Sequence, residues 1–204
     1  MESALTGAGV EAIRREFGPL ERRKLSAVLT GTTMHFCLRC GTQLVGRLIE
    51  GRELEACPAC DFVLWRNPVV ATMVIVEETA GVVLGKRSIE PGRGLWCLPG
   101  GFVNDDEHPE AAAARECLEE IGARVEIEGL LGVYHIVRGD GTGMLGLAYR
   151  GRLAPGEKAI AGSEMLEVGV FDPATPPRLA FPSHRQALAD WLAKKSDDSS
   201  RALR

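Results

Sequence analysis

The sequence has no apolar run long enough to span a bilayer, which excludes a helical membrane protein. Its one candidate region for a secretory signal peptide is interrupted by Glu11, Arg14, Arg15 and Glu16. Basic residues are not in excess, because 24 lysines and arginines stand against 28 acidic residues, for a net charge of −4. We therefore expect no nucleic-acid partner and no membrane partner, and a cytoplasmic location.

The composition is otherwise ordinary. The chain has 204 residues, of which 45% are hydrophobic and 25% are charged. These fractions are typical of a globular protein with a real core, and the length suits one domain with a small appendage.

Four of the six cysteines form two CxxC pairs, Cys37 with Cys40 and Cys57 with Cys60. The sixteen residues between the pairs resemble a hairpin, which is the spacing of a zinc ribbon. Two disulfides or a redox CxxC are the alternatives, and the expected cytoplasmic location favours metal. Four thiolates leave no open position, so we expect structural Zn²⁺ in a ribbon over residues 34–66. The ribbon has no interleaved basic and aromatic residues, and we expect it to support folding or a homodimer.

A second motif begins at the turn Gly100-Gly101 and continues into a predicted helix over residues 108–121. Three helix carboxylates, Glu116, Glu119 and Glu120, then share one face. Ordinary solvated glutamates are the alternative, but three converging carboxylates repel one another unless a cation neutralises them. Oxygen ligands of this kind suit Mg²⁺ or Mn²⁺.

The same helix carries orientation and boundary signals. Arg115 precedes Glu119 by four residues and can pair with it, which orients the carboxylate. Asp105 or Asp106 is the predicted N-cap, and Gly122 is the predicted end of the helix.

Residues 101–123 resemble the signature of Nudix hydrolases, G-x5-E-x7-R-E-U-x-E-E-x-G-U, in which U is a bulky apolar residue. Every fixed position matches, although the two apolar positions hold the small Cys117 and Ala123. The resemblance implies an α/β/α sandwich with a mixed sheet, preceded here by the zinc ribbon. It also implies a Mg²⁺-dependent enzyme that uses water to split the phosphoanhydride bond of a nucleoside diphosphate linked to another group.

The resemblance assigns roles by position. The metal ligands would be Glu116, Glu119, Glu120 and the backbone carbonyl of Gly100, and Glu107 would be a supporting carboxylate. In some relatives the general base is the residue at Glu116. In relatives that cleave ADP-ribose the base lies on a later loop, where this chain offers Glu164 and, as second choice, Glu167. A solvated loop acid is the alternative interpretation of Glu164.

Lone cations near the motif are further candidates. Lys86, Arg87 and Arg93 could pair with substrate phosphates, although such residues are more often solvated.

Taken over residues 37–191, the chain resembles the zinc-ribbon Nudix group that includes ADP-ribose pyrophosphatases and plant FAD pyrophosphatases. NADH pyrophosphatases also carry a ribbon, but this chain lacks their SQPWPFP-type array after the signature. We expect hydrolysis of ADP-ribose or FAD to AMP and a second phosphorylated product. An NADH or other dinucleotide pyrophosphatase is one alternative, and a sensor that binds nucleotide without cleaving it is another.

The predicted organisation has four parts: a helical extension at 1–33, the ribbon at 34–66, the hydrolase domain at 67–195 and a polar tail at 196–204. A natural start at Met34 is the alternative for the extension. Within the hydrolase domain, strands are predicted at 69–77, 82–88, 125–137 and 144–153. A last helix is predicted at 183–194, with Ser183 as its cap.

Overall fold

The structure, a computed structural model, describes residues 34–139 and 141–202, without the side chains of residues 197–202. The predicted helical extension at 1–33 lies outside the described residues. Two compact units make up the chain, one ending at Arg66 and the other running from Asn67 to Arg204. None of the helices among the described residues is long and apolar enough to cross a membrane.

The first unit is a small antiparallel sheet. Strands β1 (Val45–Ile49), β2 (Arg52–Ala56) and β3 (Val63–Leu64) lie in that order. The predicted hairpin between the two CxxC pairs is β1 and β2, with Ile49 opposite Arg52. Cys37, Leu44 and Cys57 form a buried cluster in this unit, and Leu54 and Ala56 of β2 are buried as well.

The second unit is built on a six-stranded sheet. Its strands are β4 (Val69–Glu78), β5 (Gly81–Arg87), β6 (Trp96–Cys97), β7 (Val125–Val137), β8 (Gly143–Leu153) and β9 (Met165–Phe171). The order is β6-β5-β4-β8-β7, and β9 pairs with β5. Because β4 and β8 are parallel while the other pairs are antiparallel, the predicted mixed sheet is confirmed. The four predicted strands are present, and β6 and β9 were not predicted.

Side chains of β4 are buried on both faces of the sheet. Val74 and Val76 pack in the cluster that contains helix α1 (Pro109–Ile121). Met73 and Ile75 pack on the other face, in the cluster that contains helix α2 (Pro182–Ala202). Each fully buried aliphatic side chain contributes about 2 kcal/mol to folding. One helix on each face of the sheet confirms the predicted α/β/α sandwich.

The N-cap of α1 differs from the prediction. His108 occupies this position, and its Nδ1 accepts a hydrogen bond from the backbone N–H of Glu110 at 3.3 Å. The prediction of Asp105 or Asp106 was wrong because Pro109 is the first helical residue. A proline holds the residue before it in extended backbone, which is the conformation of an N-cap.

Of the other predicted helix ends, the end of α1 is confirmed and both ends of α2 are corrected. Helix α1 ends as predicted at Gly122, which adopts the left-handed conformation with φ of 60°. Helix α2 begins at Pro182, so Ser183 lies in the first turn and is not the cap. The helix also continues to Ala202, so the tail predicted from residue 196 is helical over most of its length.

Candidate active site

A turn between β6 and α1 supplies backbone groups to the site. The carbonyl oxygens of Pro99 and Gly101 accept hydrogen bonds from the N–H groups of Val74 at 2.8 Å and Thr72 at 2.7 Å, which fixes the turn on β4. Within the part of the chain that the structure describes, no hydrogen bond ends on the carbonyl oxygen of Gly100 between them. The carbonyl predicted as a metal ligand is therefore held between two anchored peptides.

Glu120 is a buried carboxylate beside this turn. Glu120 is only 4% exposed, and its Oε2 accepts a hydrogen bond from the N–H of Gly100 at 2.8 Å. Burial, together with the negative charges of Glu116 and Glu164, raises the pKa of Glu120 to about 8, although the Gly100 hydrogen bond lowers it. A carboxylate in this position is stabilised by a proton or by a cation.

Glu116 lies one helical turn before Glu120 and points to the same side. Burial raises its pKa above the ordinary value, against the opposing effect of Arg115. The carboxylate occupies the space beside Gly101, where an added Cβ would lie 2.5 Å from the Cδ and Oε2 of Glu116. Glycine at this position is therefore what allows the carboxylate to approach the turn.

Glu119 does not join the other two carboxylates. Its side chain is 57% exposed, and its Oε2 lies 3.1 Å from the Nη1 of Arg115. Among the described residues, the side chains that gather as a set of three or more metal ligands are the cysteines of the first unit. The structure thus brings Glu116 and Glu120 together, and it leaves Glu119 at the rim with the predicted Arg115 pair formed.

Arg115 connects the helix to the turn. Its guanidinium donates to both carboxylate oxygens of Glu107, at 2.7 and 3.0 Å, and to Glu116 Oε1 at 2.8 Å. It also donates to the carbonyl oxygen of Phe102 at 3.1 Å. The paired guanidinium lowers the pKa of Glu107 to about 2. Through Arg115, Glu116 on the helix is fixed relative to Phe102 and Glu107, which precede the helix.

A loop before β9 docks on the C-terminal end of α1. The N–H of Ile160 donates to the carbonyl of Ile121 at 2.8 Å, and the N–H of Gly162 donates to the carbonyl of Glu120 at 2.9 Å. These bonds satisfy carbonyls that a helix end leaves unpaired. An added Cβ at Gly162 would overlap the carbonyl oxygen of Glu119. Sequence reasoning missed Gly162, because nothing in its neighbourhood along the chain indicates this contact.

The docked loop carries Glu164, the predicted general base. Glu164 is exposed, and its negative charge raises the pKa values of both Glu116 and Glu120, so it lies within electrostatic reach of them. Glu167, the second choice, pairs instead with Lys86 across β5 and β9, at 3.4 Å. The structure therefore brings Glu164 near the other carboxylates of the site, whereas Glu167 forms an ion pair with Lys86.

Of the three candidate cations, Arg87 is one whose charge affects a carboxylate of the site. Its charge lowers the pKa of Glu120. The guanidinium donates from Nε to the carbonyl of Pro91 at 2.8 Å and lies 5.1 Å from the ring centre of Phe181. Arg93 is exposed on the same loop.

His184 is a further residue of this region that the sequence did not single out. Its Nδ1 accepts a hydrogen bond from the N–H of Leu98 at 3.0 Å, just before the turn. Burial of the ring and the charge of Arg87 lower the pKa of His184 to about 3. The imidazole is therefore neutral and joins α2 to the segment that enters the turn.

The four cysteines form a separate candidate metal centre in the first unit. All four are unbridged thiols, so the disulfide alternative is not realised. Their Sγ atoms lie within 4.8 Å of one another, with separations of 3.6 Å between Cys37 and Cys60 and 3.5 Å between Cys40 and Cys57. Tetrahedral zinc with bonds of about 2.3 Å requires sulfur separations of about 3.8 Å. The cluster fits a zinc ion in size and in donor type.

Comparisons with known proteins agree with this geometry. The family profile described as NUDIX domain matches residues 66–192. The ADP-ribose pyrophosphatase of Methanocaldococcus jannaschii is 32% identical over 157 residues, covering 76% of this chain and 89% of the relative. A putative 8-oxo-dGTP diphosphatase of Bacillus subtilis is 29% identical, covering 59% of this chain and 77% of the relative.

Solved structures give the same result. A Nudix hydrolase from Nitrosomonas europaea superimposes with a TM-score of 0.67 at 36% identity, covering 76% of this chain and 88% of the other. A MutT Nudix hydrolase from Burkholderia pseudomallei superimposes with a TM-score of 0.55 at 26% identity, covering 61% and 98%. With the family profile spanning most of the second unit, the chain belongs to the Nudix hydrolases, enzymes that act on phosphoanhydride bonds.

Proposed function

We propose that this enzyme hydrolyses the pyrophosphate bond of an ADP-linked substrate, ADP-ribose or FAD, with Mg²⁺ or Mn²⁺, to give AMP and a second phosphorylated product. The observation that carries the proposal is the approach of two carboxylates to the anchored turn, Glu120 to the N–H of Gly100 and Glu116 to Gly101. The choice of ADP-ribose is supported by the similarity to the archaeal ADP-ribose pyrophosphatase.

The donors at the turn suit a hard divalent cation. Two inward carboxylates and a carbonyl oxygen without a partner among the described residues are oxygen ligands, and the raised pKa of Glu120 reflects a negative charge that burial disfavours. In the proposal Glu116, Glu119, Glu120 and the Gly100 carbonyl hold the metal. When bound, the metal neutralises phosphate charge and lowers the pKa of a water molecule.

The remaining residues position groups and move a proton. Arg115 holds Glu116 in place through its bonds to Glu107 and the turn. Glu164 accepts a proton from water as the water oxygen bonds to phosphorus, and the bridging P–O bond breaks toward the leaving phosphate. The loop that docks on α1 sets the position of Glu164.

The first unit has a structural role in this proposal. Cys37, Cys40, Cys57 and Cys60 bind one Zn²⁺, and the ribbon at 34–66 precedes the hydrolase domain at 67–195. Four thiolates complete the coordination of zinc, so the ion stabilises the ribbon and takes no part in hydrolysis.

Turnover of a nucleotide panel tests the proposal. ADP-ribose, FAD, NADH and dNTPs would be assayed with Mg²⁺ or Mn²⁺, with AMP detected as the product of the first three and pyrophosphate as a product of the dNTPs. We expect ADP-ribose or FAD to have the highest kcat/KM. Glu120→Gln and Glu119→Gln should reduce kcat by about a thousandfold or more, because each removes a charged ligand. Glu110→Gln, an exposed residue of the same helix at a variable position of the signature, is the matched control.

Other outcomes separate the alternatives. A dominant NADH rate would identify a dinucleotide pyrophosphatase. Nucleotide binding without hydrolysis of any substrate would indicate a sensor. Full activity of both Gln variants would contradict the metal assignment.

A further inference from the structure

A cavity of about 340 Å³ lies away from the signature residues, between β4, β7, β8 and α2. Arg150 of β8 lines it and stands beside Ile75 of β4 in the parallel register. Neighbouring residues in register point to the same face of a sheet, and Ile75 belongs to the cluster that packs on α2. The cavity is therefore on the α2 side of the sheet, whereas the signature helix α1 covers the opposite side.

Three cations and one acid line this cavity. The cations are Arg150, Lys194 and Lys195, and the acid is Glu77, which leaves a net charge of +2. Both oxygens of the Glu77 carboxylate accept hydrogen bonds, one from Trp191 Nε1 at 3.0 Å and the other from Lys195 Nζ at 2.8 Å. Both oxygens of Glu77 are thus engaged by Trp191 and Lys195. Among the described residues, the lining contains no second acid to neutralise the remaining two positive charges.

Two of the cations have donors to offer a ligand. Lys194 Nζ donates to the carbonyl oxygen of Leu131 at 2.6 Å, and an ammonium group has three donors in all. Arg150 is exposed and makes no ion pair or side-chain hydrogen bond with any residue that the structure describes. Its guanidinium offers a planar fork of donors that matches phosphate geometry.

The rest of the lining is apolar. Trp191, Leu130 and Leu131 complete the cavity wall, and Leu130 is 51% exposed. The two leucines lie at irregularities in the pairing of β7 with β8. One irregularity, between Ile127 and Gly129, precedes both leucines, and the second, between Leu130 and Gly132, includes Leu131. Bulges of this kind bend a strand and redirect its side chains.

We propose that this cavity binds a small phosphomonoester that carries an apolar or aromatic group. A phosphomonoester has a charge of about −1.5 to −2 at neutral pH, which balances the lining. Arg150 and Lys194 would bind the phosphate, and Trp191 with the two leucines would contact the apolar group. The cavity volume lies in the range of about 300 to 1,000 Å³ that is typical of small-molecule sites. The site shares no residue with the catalytic proposal and stands independently of it.

Phenyl phosphate is the test ligand, because it combines both chemical features and contains no nucleotide. It would be titrated into the full-length, Mg²⁺-free protein while the indole N–H signal of Trp191 is followed by NMR. The chain has three tryptophans, so Trp65→Phe and Trp96→Phe variants assign the signal. We expect a saturable shift of the Trp191 signal. Arg150→Met and Lys194→Met should each weaken binding about tenfold, the effect of one charged hydrogen bond.

Arg47→Met is the matched control, because Arg47 is an exposed arginine of β1 and does not line the cavity. Wild-type affinity in this variant, with weakened binding in Arg150→Met, supports the site. The absence of a shift up to about 10 mM phenyl phosphate would overturn the proposal. So would equal binding by benzoate, which lacks the phosphate, or wild-type affinity in both cavity variants.

Discussion

Glu116, Glu119 and Glu120 belong to one helix and have the same chemistry, yet their surroundings differ. Glu120 is buried against the Gly100 N–H, Glu116 is enclosed beside Gly101, and Glu119 is exposed beside Arg115. The difference follows from the close approach of the turn to only one side of the helix. A small substitution in the turn should therefore displace the Glu116 carboxylate more than the Glu119 carboxylate.

Gly101→Ala tests this arrangement. The added methyl group would occupy the position of the Glu116 carboxylate, so we expect kcat to fall about ten- to a hundredfold, the usual effect of displacing a reactive group by about 1 Å. Steady-state hydrolysis of the preferred substrate measures the change. Gly139→Ala is the control, because a Cβ there would meet nothing within 4 Å. An unchanged kcat in Gly101→Ala would contradict the observed approach.

His184 predicts a pH dependence of stability. Burial and Arg87 lower its pKa from 6.5 to about 3, so folding requires the neutral ring. The stability associated with neutral His184 is complete above pH 6.5 and is lost as the pH falls toward 3, by at most about 1.4 kcal/mol per pH unit. His184→Gln keeps an acceptor for Leu98 but does not titrate. In urea unfolding, the difference between wild type and variant should change between pH 6.5 and 4, and a constant difference would contradict the prediction.

At the scale of elements, the sequence predicted the features that depend on residues close together along the chain. The apolar runs of β4 and β5 predicted strands, and the glycine after Ile121 predicted the end of α1. Strand β9 was missed because Met165–Phe171 has no regular alternation: Met165 is buried, and the residues after it are exposed or half-buried in no fixed order. The approach of the Glu164 loop to α1 was not predictable either, since it depends on hydrogen bonds of Ile160 with Ile121 and of Gly162 with Glu120, which are far apart along the chain.

Gly162→Ala tests the docking of that loop. The methyl group would overlap the Glu119 carbonyl and push the loop from the end of α1, so we expect kcat to fall at least about tenfold through displacement of Glu164. A double-mutant cycle with Glu164→Gln distinguishes positioning from general damage. If Gly162 acts through Glu164, the alanine substitution should have little further effect on kcat in the Gln background. Fully additive losses would show that the loop matters for another reason.

At the scale of the whole molecule, the two units depend on different sources of stability. The second unit has two buried clusters, one on each face of its sheet, and it contains every residue proposed for hydrolysis. Within the described part of the first unit the buried hydrophobic residues are few, and two of the five are proposed zinc ligands: Cys37, Leu44, Leu54, Ala56 and Cys57. So small a core does not stabilise a fold without a metal or a covalent link.

Zinc removal should therefore unfold the first unit and spare the chemistry of the second. We expect chelation, or the Cys57→Ser variant, to abolish a separate thermal transition of the ribbon. After Mg²⁺ is restored, kcat should remain within about twofold of wild type, because zinc with four thiolates has no open position for substrate. Zinc content by a colorimetric assay, calorimetry and turnover would be measured on the same samples. If hydrolysis fell in proportion to zinc content despite saturating Mg²⁺, the ribbon would have to contribute to the active site, and the division of roles between the two units would be wrong.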